Sequence, residues 1–414
     1  MTSPMQVRWL VVVALTTGAC GDNEPPDLGP GQPLAPASDL TIIAHQDDDL
    51  LFMQPDLYDA VKRGGGLTNV YVTAGNGRHG VEAAEPRYDG LMSAYGEIAG
   101  DQDWACGWIM IGAINVEHCR LAAEKISLVF LAYPDGGTTG EVTDSLLHLW
   151  EGKIASAATV ARRSSTYTQA SLIQVLGAII DVTAPTTLRT LEIASTHGYD
   201  HSDHMLVGAL AVLATAHSSR APALISYRGY DIGSEPANLD AAVYDRSVDI
   251  MLRYDACATG CAPCGEACAL DQLEPEHSAY LQRRYPIGVG RTAMGTLRQG
   301  DGCVIAMSAG ANAVIGDCAT APAWQLDELG TLRNADNICL EVFLTGEITA
   351  NTCRDAGPAG RFFLDDEGHL WSGVVPPQQD DMDYAHLYCV GSAGGRPRAG
   401  LCGQDRAPTW TIAP

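Results

Sequence analysis

The stretch "DLTIIAHQDDDLLFMQPDL", residues 39–57, places one histidine and three consecutive aspartates directly after an apolar run. The apolar run is typical of a buried strand, and His45, Asp47 and Asp48 follow where it ends. An imidazole and a carboxylate two or three positions apart can bind one cation from a turn, which leaves another carboxylate free to accept a proton. A solvated surface turn is the alternative interpretation, because runs of aspartate are common on protein surfaces.

Apolar strands alternate with helical patterns from residue 39 to about residue 285. The segments "LTIIAH", "NVYVTAG", "TLEIAS" and "ALISYRG" are typical of strands, whereas "YTQASLIQVLGAIIDV" and "DHMLVGALAVLATAH" have helical spacing. This alternation predicts an α/β domain, with a Rossmann-like, mostly parallel sheet and helices on both faces. In such sheets ligands bind at the carboxyl ends of the strands, and residues 44–49 lie at one such end.

A second polar group, "STHGYDHSDHMLVGAL" (residues 195–210), also follows an apolar strand. His201 and His204 are three positions apart at a predicted helix start, so they share a face. Asp203 lies between them and can orient an imidazole. Two histidines and one aspartate with an open position match the ligand count of a catalytic zinc site. The alternative is that His197 or His201 caps a turn or fills a gap in the core.

The two motifs "AHQDDD" and "THGYDHSDH" together resemble the GlcNAc-phosphatidylinositol de-N-acetylase (PIG-L/LmbE-like) family, whose signature is AHPDDE with a later HxDH. The segments "VYVTAGNG", "LAYPDGG" and "YRGYDI" also resemble parts of that family, and the resemblance spans about residues 39–285. Gln46 stands where the family has proline, and Asp49 stands where it has glutamate. Neither position matches a metal ligand or the general base.

This resemblance implies a metal-dependent enzyme, usually with zinc, that removes acetyl groups from N-acetylated amino sugars. Carried over position by position, His45, Asp48 and His204 match the metal ligands. Asp47 matches the general base, and His201 matches the histidine that stabilises the oxyanion.

Three further residues have expected roles in the same domain. Asp203 is expected to orient a protonated His201. Asp135, in the "PDG" loop, and His197 are expected to contact the substrate. The sequence therefore predicts a deacetylase that uses Zn²⁺ or another divalent metal. Two alternatives stay open: a non-catalytic, carbohydrate-binding cell-surface protein, and an amidase that acts on another N-acyl group.

After residue 285 the sequence changes to short strands, turns and three successive repeats. Their starts are "MGTLRQGDGCVIA" (294–306), "LGTLRNADNICLEV" (329–342) and "EGHLWSG…HLYCVG" (367–391). Each copy continues to a second cysteine and an aromatic closing segment. Three copies of about forty residues indicate an all-β unit with threefold repetition.

The repeats resemble a ricin B-type β-trefoil, in which a sugar-binding acid follows the first cysteine of a lobe by two residues. Ile305, Glu341 and Gly391 occupy those positions here. The resemblance therefore implies one candidate for sugar binding, Glu341, with Phe343 as a stacking partner. A spacer without sugar-binding sites is the alternative.

The chain is acidic, with 25 basic and 50 acidic residues among 414 and a formal net charge of −25. This balance argues against a nucleic-acid partner and against an anionic membrane surface. Arg8 and the apolar "WLVVVAL" are typical of a signal peptide, since the run is too short to span a bilayer. "TTGAC" ends in Cys20 and resembles a lipoprotein cleavage site; ordinary secretory cleavage is the alternative.

We therefore expect an exported protein, either a cell-envelope lipoprotein or a secreted one, with membrane contact only through a lipid at Cys20. The predicted organisation is a signal peptide and lipoprotein box (1–20), a Pro/Gly-rich linker (21–38), a deacetylase domain (39–285) and a trefoil domain (286–414).

Thirteen cysteines in an exported protein indicate disulfides. Without Cys20 an even number remains. One pair per repeat is predicted, at spacings of 15, 14 and 13 residues, together with a pair between Cys106 and Cys119. The cluster "CATGCAPCGEAC" favours two short disulfides over a zinc knot.

Overall fold

The computed structural model describes residues 28–194, 197–290, 292–376, 387–402 and 408–413. The predicted signal peptide, Cys20 and residues 21–27 of the predicted linker lie outside the described residues. Across the described ranges, no helix has the length and apolar character needed to cross a membrane.

The N-terminal unit is built on a sheet with helices on both faces. Its strands are β1 (Asp39–Ile43), β2 (Leu67–Thr73), β3 (Ala105–Ile111), β4 (Ile114–Leu121), β5 (Ile126–Tyr133), β6 (Ala157–Ala158), β7 (Thr166–Tyr167), β8 (Thr187–Leu191), β9 (Ala223–Tyr227) and β10 (Pro286–Gly290). Its helices are α1 (Asp48–Phe52), α2 (Asp56–Arg63), α3 (Val81–Ala99), α4 (Leu146–Trp150), α5 (Gln169–Thr183), α6 (Ser202–Ala216), α7 (Ala241–Ala258) and α8 (Pro275–Tyr280).

The sheet of this unit has the strand order β3-β4-β5-β2-β1-β8-β9-β10. The five central strands run parallel, as the alternating sequence pattern predicts. The outer strands are antiparallel, because β3 and β4 form a hairpin and β10 returns along β9. The sheet is therefore mixed. From β1 the chain passes to β2, then to the edge strand β3, and returns through β4 to β5 beside β2. It later crosses to β8 on the other side of β1, so β1 and β8 flank a topological switch point.

Both faces of the sheet are buried, because alternate residues of β1 point to opposite cores. Leu40 and Ile42 belong to the core that includes residues of α5 and α6. Ile43 belongs to the core that includes residues of α3 and α7. The fully apolar strands predicted from the sequence follow from this two-sided burial.

Helix α6 lies unusually close to β8, because a small residue stands at the point of contact. A Cβ atom on Gly208 would lie 2.6 Å from the carbonyl oxygen of Leu191. Only glycine permits this approach without a shift of the backbone. It helps to set the start of α6, with its histidines, at the carboxyl end of the sheet.

The C-terminal unit consists of short antiparallel strands. They are β11 (Ala293–Gln299), β12 (Gly302–Ile305), β13 (Val314–Gly316), β14 (Trp324–Leu326), β15 (Leu332–Asn334), β16 (Ile338–Val342), β17 (Ile348–Thr352), β18 (Phe362–Asp365), β19 (Leu370–Ser372), β20 (Cys389–Ala393), β21 (Arg396–Gly400) and β22 (Thr411–Ala413). Strands β11 to β17, with β22 on β11, form one antiparallel sheet, whereas β18 to β21 continue the first sheet through β10. A complete β-trefoil is not established by this arrangement and stays a prediction.

The predicted repetition is visible in single contacts. The indole of Trp324 donates a hydrogen bond to the carbonyl of Val304 at 3.1 Å, and the indole of Trp410 donates to Val390 at 2.6 Å. Each bond spans twenty residues. Phe362 is the corresponding aromatic residue of the second copy, and it is also buried.

All twelve cysteines of the described residues are paired. The four predicted pairs are confirmed: Cys106–Cys119, Cys303–Cys318, Cys339–Cys353 and Cys389–Cys402. The cluster forms two short disulfides, Cys257–Cys264 and Cys261–Cys268, rather than a zinc knot. Every bridge is local, since the sequence separations run from 7 to 15 residues.

The two units share part of one core. Phe363 and Trp371 of the C-terminal unit pack within the same apolar cluster as α5 and α6. The indole of Trp150 donates to the carbonyl of Gly373 at 2.7 Å. The predicted boundary between residues 285 and 286 stays a prediction, because it falls just before β10, a strand that pairs with β9 on one side and with β18 on the other and so joins the two units in one sheet.

Candidate metal centre and active site

The first motif turns sharply from β1 into a short helix. The chain leaves β1 at Ile43, and Asp47 is the N-cap of α1, so His45 and Asp48 lie on either side of the turn. The backbone N–H of His45 donates to Asp48 Oδ2 at 2.6 Å. Both side chains are buried. The aspartate run is therefore not a solvated surface turn.

Three donor atoms from two elements converge at this turn. His45 Nδ1 lies 3.1 Å from His204 Nε2, and Asp48 Oδ1 lies 3.0 Å from His204 Nε2 and 3.6 Å from His45 Nδ1. Atoms that bind a tetrahedral Zn²⁺ at about 2.0 to 2.2 Å lie about 3.3 to 3.6 Å from one another. The separations of His45, Asp48 and His204 are close to that, so the three residues fit a divalent metal.

The electrostatics of the group favour positive charge among these atoms. Burial acts to lower the pKa of His204, but the carboxylates of Asp48 and Asp200 outweigh it and raise that pKa to about 10. Burial acts to raise the pKa of Asp48, but His204 and His45 hold it well below its usual range. Protons on the imidazoles or a bound cation can supply the positive charge that the carboxylates require.

A carboxylate behind His204 orients its ring. His204 Nδ1 donates to Asp200 Oδ1 at 2.7 Å, which leaves Nε2 as the nitrogen that faces His45 and Asp48. Such a partner fixes the tautomer of a ligating histidine. His45 Nε2 lies 3.6 Å from Asp203 Oδ2, beyond hydrogen-bond distance, while its Nδ1 faces His204 and Asp48. Sequence reasoning missed Asp200, although its position four residues before His204 was a usable signal.

His201 begins α6 and is bound differently from the other two histidines. Its Nδ1 accepts the backbone N–H of Asp203 at 3.1 Å, as an N-cap, so the ring proton of the neutral form belongs on Nε2. Burial and the nearby His45 lower the pKa of His201 to about 4. The ring is therefore neutral near pH 7, which corrects the expectation of a protonated His201. Its Nε2 is a hydrogen-bond donor, 4.0 Å from Asp135 Oδ1.

The carboxylate of Asp203 lies between several parts of the site. Its Oδ2 accepts the backbone N–H of Gly136 at 2.9 Å and lies 3.9 Å from His201 Nδ1. A Cβ on Gly136 would meet Asp203 Oδ1 at 2.6 Å, so glycine is needed for this approach. The hydrogen bond from Asp203 to His201 comes from the backbone of the aspartate, and its carboxylate lies nearer to His45.

Asp47 stands apart from the three converging donors. Its side chain keeps 20% of its surface exposed, whereas that of Asp48 keeps 2%. Asp47 Oδ2 lies 3.4 Å from an Arg87 nitrogen, which belongs to α3. The carboxylate is thus accessible and close to a cation. Nothing in the sequence around Arg87 signalled this contact, which only the packing of α3 creates.

The remaining predicted residues lie at different distances from the group. Asp135 faces it, because its carboxylate forms a cluster with His45, His201 and Asp203. His197 instead lies 2.8 Å from Glu192 and packs on His369.

Glu341 belongs to the C-terminal unit, where it accepts hydrogen bonds from Asn351 and Arg354. The structure thus brings Asp135 to the metal group, but neither His197 nor Glu341. Their roles as substrate contacts stay predictions.

The two departures from the family signature are accommodated without displacing a donor. Gln46 is buried, and its Nε2 donates to the carbonyl of Thr73 at 2.7 Å, at the end of β2. Asp49 points the other way and accepts hydrogen bonds from Tyr71 and Tyr95. Burial raises the pKa of Asp49 to about 7, although both tyrosines act to lower it.

Comparisons with solved structures give weak likenesses. A β-trefoil lectin of the Vibrio vulnificus hemolysin/cytolysin, solved with N-acetyl-D-lactosamine bound, is a structural neighbour of the C-terminal region; it is 20% identical, covers 30% of this chain and 95% of its own, and has a TM-score of 0.25.

GalB, the 4-carboxy-2-hydroxymuconate hydratase of Pseudomonas putida, is 13% identical over 59% of this chain and 82% of its own, with a TM-score of 0.34. The conserved protein TT1542 of Thermus thermophilus is 17% identical over 55% of this chain and 83% of its own, with a TM-score of 0.31. TM-scores of this size add nothing on fold or function.

No functionally curated protein matches the sequence. A family match does cover the site: it includes both motifs, and therefore His45, Asp48 and His204. Members of that family are typically metal-dependent deacetylases, a class of hydrolases. Residues 40–215 match the family described as PIG-L, GlcNAc-PI de-N-acetylase.

Proposed function

We propose that this chain is an exported, zinc-dependent N-deacetylase that hydrolyses the acetamide of N-acetylated amino sugars in a glycan or glycoconjugate. The observation that carries the proposal is the convergence of His45, Asp48 and His204 beside the separate, accessible carboxylate of Asp47. The family match over residues 40–215 supports the reaction class. Six disulfides support an oxidising compartment, and hence export.

His45 Nδ1, Asp48 Oδ1 and His204 Nε2 would hold the metal. When bound, a divalent cation lowers the pKa of a coordinated water and polarises an amide carbonyl. The hydrogen bond to Asp200 keeps the His204 imidazole turned so that its Nε2 faces inward.

Asp47 moves the proton in this reaction. Its carboxylate takes a proton from the attacking water, whose oxygen forms the new bond to the acetyl carbon. As the carbon–nitrogen bond breaks, Asp47 returns that proton to the amine nitrogen. The products are acetate and a free amino sugar. An Arg87 nitrogen lies 3.4 Å from Asp47 Oδ2 and helps to hold that carboxylate in position.

His201 stabilises the charge that develops on the carbonyl oxygen. Because its Nδ1 is occupied by the backbone N–H of Asp203, its Nε2–H is the available donor. A donor held in place before the reaction stabilises an oxyanion more than it stabilises the neutral amide. Asp135, opposite His201, is placed to accept hydrogen bonds from sugar hydroxyls.

Acetate release tests the proposal. The purified full-length chain would be treated with a chelator and then assayed on a panel of N-acetylated amino sugars and glycans, with and without added Zn²⁺. We expect acetate from at least one substrate only after metal is restored. N-formyl and N-propionyl analogues of the same sugars distinguish a deacetylase from a general amidase.

A folded, metal-loaded chain that releases acetate from no member of the panel would contradict the proposal. Release of another acyl group in its place would favour the amidase alternative. Glycan binding without turnover would favour the non-catalytic alternative.

A further inference from the structure

A second group of titratable side chains lies outside the site described above. Glu192 follows β8, His197 belongs to the next loop, and Asp231 lies in the 3-10 helix Tyr230–Ser234. One potential ligand atom from each residue lies within 4.8 Å of the others. The group shares no residue with the candidate catalytic metal site.

The two carboxylates of this group are buried without enough partners. Glu192 is 2% exposed and Asp231 is 7% exposed. Among the described residues, Glu192 Oε2 and both carboxylate oxygens of Asp231 have no hydrogen-bond partner. A buried carboxylate without partners is costly, and natural sites neutralise it by a proton, an ion pair or a metal.

The guanidinium of Arg228 does not neutralise the pair. Arg228 acts to lower the pKa of Asp231, but its guanidinium is bonded to Glu235. Burial, together with the charges of Glu192 and Asp200, raises the pKa of Asp231 to about 9. Without a bound cation, Asp231 therefore keeps its proton near pH 7, and a metal that binds here would displace that proton.

A histidine of the C-terminal unit packs against this group. The rings of His197 and His369 pack edge to face, with centroids 5.7 Å apart. His369 Nδ1 is bonded to Asp365 Oδ2 at 2.8 Å, an arrangement that orients the ring and leaves Nε2 as its other nitrogen. The group thus lies where the two units meet.

We propose that Glu192, His197 and Asp231 bind a second divalent cation, beside His369 of the C-terminal unit. The donor set mixes carboxylate oxygen and imidazole nitrogen, which suits Zn²⁺ or Mn²⁺ better than Mg²⁺ or Ca²⁺. His197 Nδ1 and Glu192 Oε1 lie 2.8 Å apart, a separation similar to the 3.0 Å between the donors of His204 and Asp48.

Metal stoichiometry tests this inference. The full-length chain and its variants would be equilibrated with Zn²⁺, freed of unbound metal and analysed for zinc per chain. We expect about two zinc ions in the unaltered chain and about one in Asp231→Asn. His204→Ala, which alters the catalytic group, is also expected to keep about one. The partly exposed His148 of α4, changed to Gln, is the matched control and should leave two.

His197→Gln is a second variant, because Asp231 is buried and its replacement can impair folding. It alters a partly exposed side chain and should also lose one zinc ion. One zinc ion in the unaltered chain, or two in both Asp231→Asn and His197→Gln, would overturn the inference. A His204→Ala chain that keeps two zinc ions would instead count against the catalytic site, so the two proposals fail separately.

Discussion

Asp47 and Asp48 are adjacent in the sequence but have different surroundings, and this difference predicts different effects of substitution. Asp48 is buried among the imidazoles, whereas Asp47 is accessible and outside the donor group. Asp47→Asn should keep the metal, because no donor is removed, but it should lower the rate of acetate release by about 10² to 10⁴, the usual contribution of a general base. Metal content and turnover would be measured on the same preparation.

Asp59→Asn is the control for that experiment, since it makes the same chemical change on the exposed face of α2. It should leave both quantities unchanged. A rate loss of less than about tenfold in Asp47→Asn would mean that another group is the base.

Substitution of Asp200 is expected to change metal affinity, because Asp200 contacts a candidate metal ligand and is not itself a candidate ligand. Its carboxylate accepts the His204 Nδ1–H and the backbone N–H groups of His201 and Tyr230. Asp200→Asn should weaken zinc affinity by about 10- to 100-fold, the usual effect of removing such a partner. Competition with a chromophoric chelator measures this affinity. An unchanged affinity would show that other contacts fix the His204 ring.

At the level of single residues, the sequence was informative where chemistry is local. The donors His45, Asp48 and His204 could be predicted, because each lies within a short motif at a strand end. The role of Arg87 could not be predicted, because its contact with Asp47 depends on how helix α3, forty residues further along the chain, packs against the site. The tautomer of His201 could not be predicted either, because it depends on the hydrogen bond that His201 Nδ1 accepts from the backbone N–H of Asp203.

Among the elements, the pairing of β1 with β8 contains a buried ion pair that predicts a dependence of stability on pH. Asp39 at the start of β1 accepts a bond from Arg189 of β8 at 2.6 Å, and Arg63 lies 3.0 Å away. Burial acts to raise the pKa of Asp39, but Ser38, Arg189 and Arg63 lower it below its usual value. Asp39→Asn should lower the free energy of unfolding at pH 7 by about 3 kcal/mol, since it leaves the buried Arg189 without its carboxylate partner.

The sign of the pH dependence follows from the lowered pKa. The ion pair stabilises the fold above the unfolded pKa of about 3.9, and this stability is lost as the pH falls through the lower folded pKa. The difference in the free energy of unfolding between Asp39→Asn and the unaltered chain should therefore become smaller below about pH 4. Urea unfolding at pH 7 and pH 3 measures it, with Asp245→Asn on α7 as a control. If the difference in unfolding free energy is the same at pH 7 and pH 3, ionisation of Asp39 is not the cause of the lower stability.

Elements with strong patterns were predictable, and short or edge elements were not. The alternation of apolar strands with helical patterns correctly indicated β1, β2, β8, β9 and the long helices. The sequence did not indicate the β3–β4 hairpin, because its turn falls inside the apolar run "WIMIGAI" (108–114), which is typical of a single strand. Helix α1 has only five residues, too few for any helical periodicity to be recognised.

At the scale of the whole molecule, the shared core predicts that the two units are stabilised together. The buried indole of Trp150 donates to Gly373 across the boundary. Trp150→Phe should destabilise the intact chain by about 1 kcal/mol, because it leaves that carbonyl without its donor. The same substitution should also speed amide hydrogen exchange in β19, because the C-terminal unit would be held less firmly against the N-terminal unit.

Trp104→Phe is the matched control, because it removes a similar bond, to Met92, that lies within the N-terminal unit. It should leave exchange in β19 unchanged. Equal exchange in β19 for both variants would mean that the Trp150 bond does not couple the units.

The local character of the disulfides has a consequence for how this chain acquires its covalent structure. Each bridge joins cysteines no more than fifteen residues apart. In an oxidising compartment, a chain that emerges N-terminus first can close each bridge before the next pair of cysteines appears. Only the interleaved pairs Cys257–Cys264 and Cys261–Cys268 offer a choice of partner over such short distances. Oxidation can therefore proceed in vectorial order, with most pairings settled before the distant parts of the chain are present to compete.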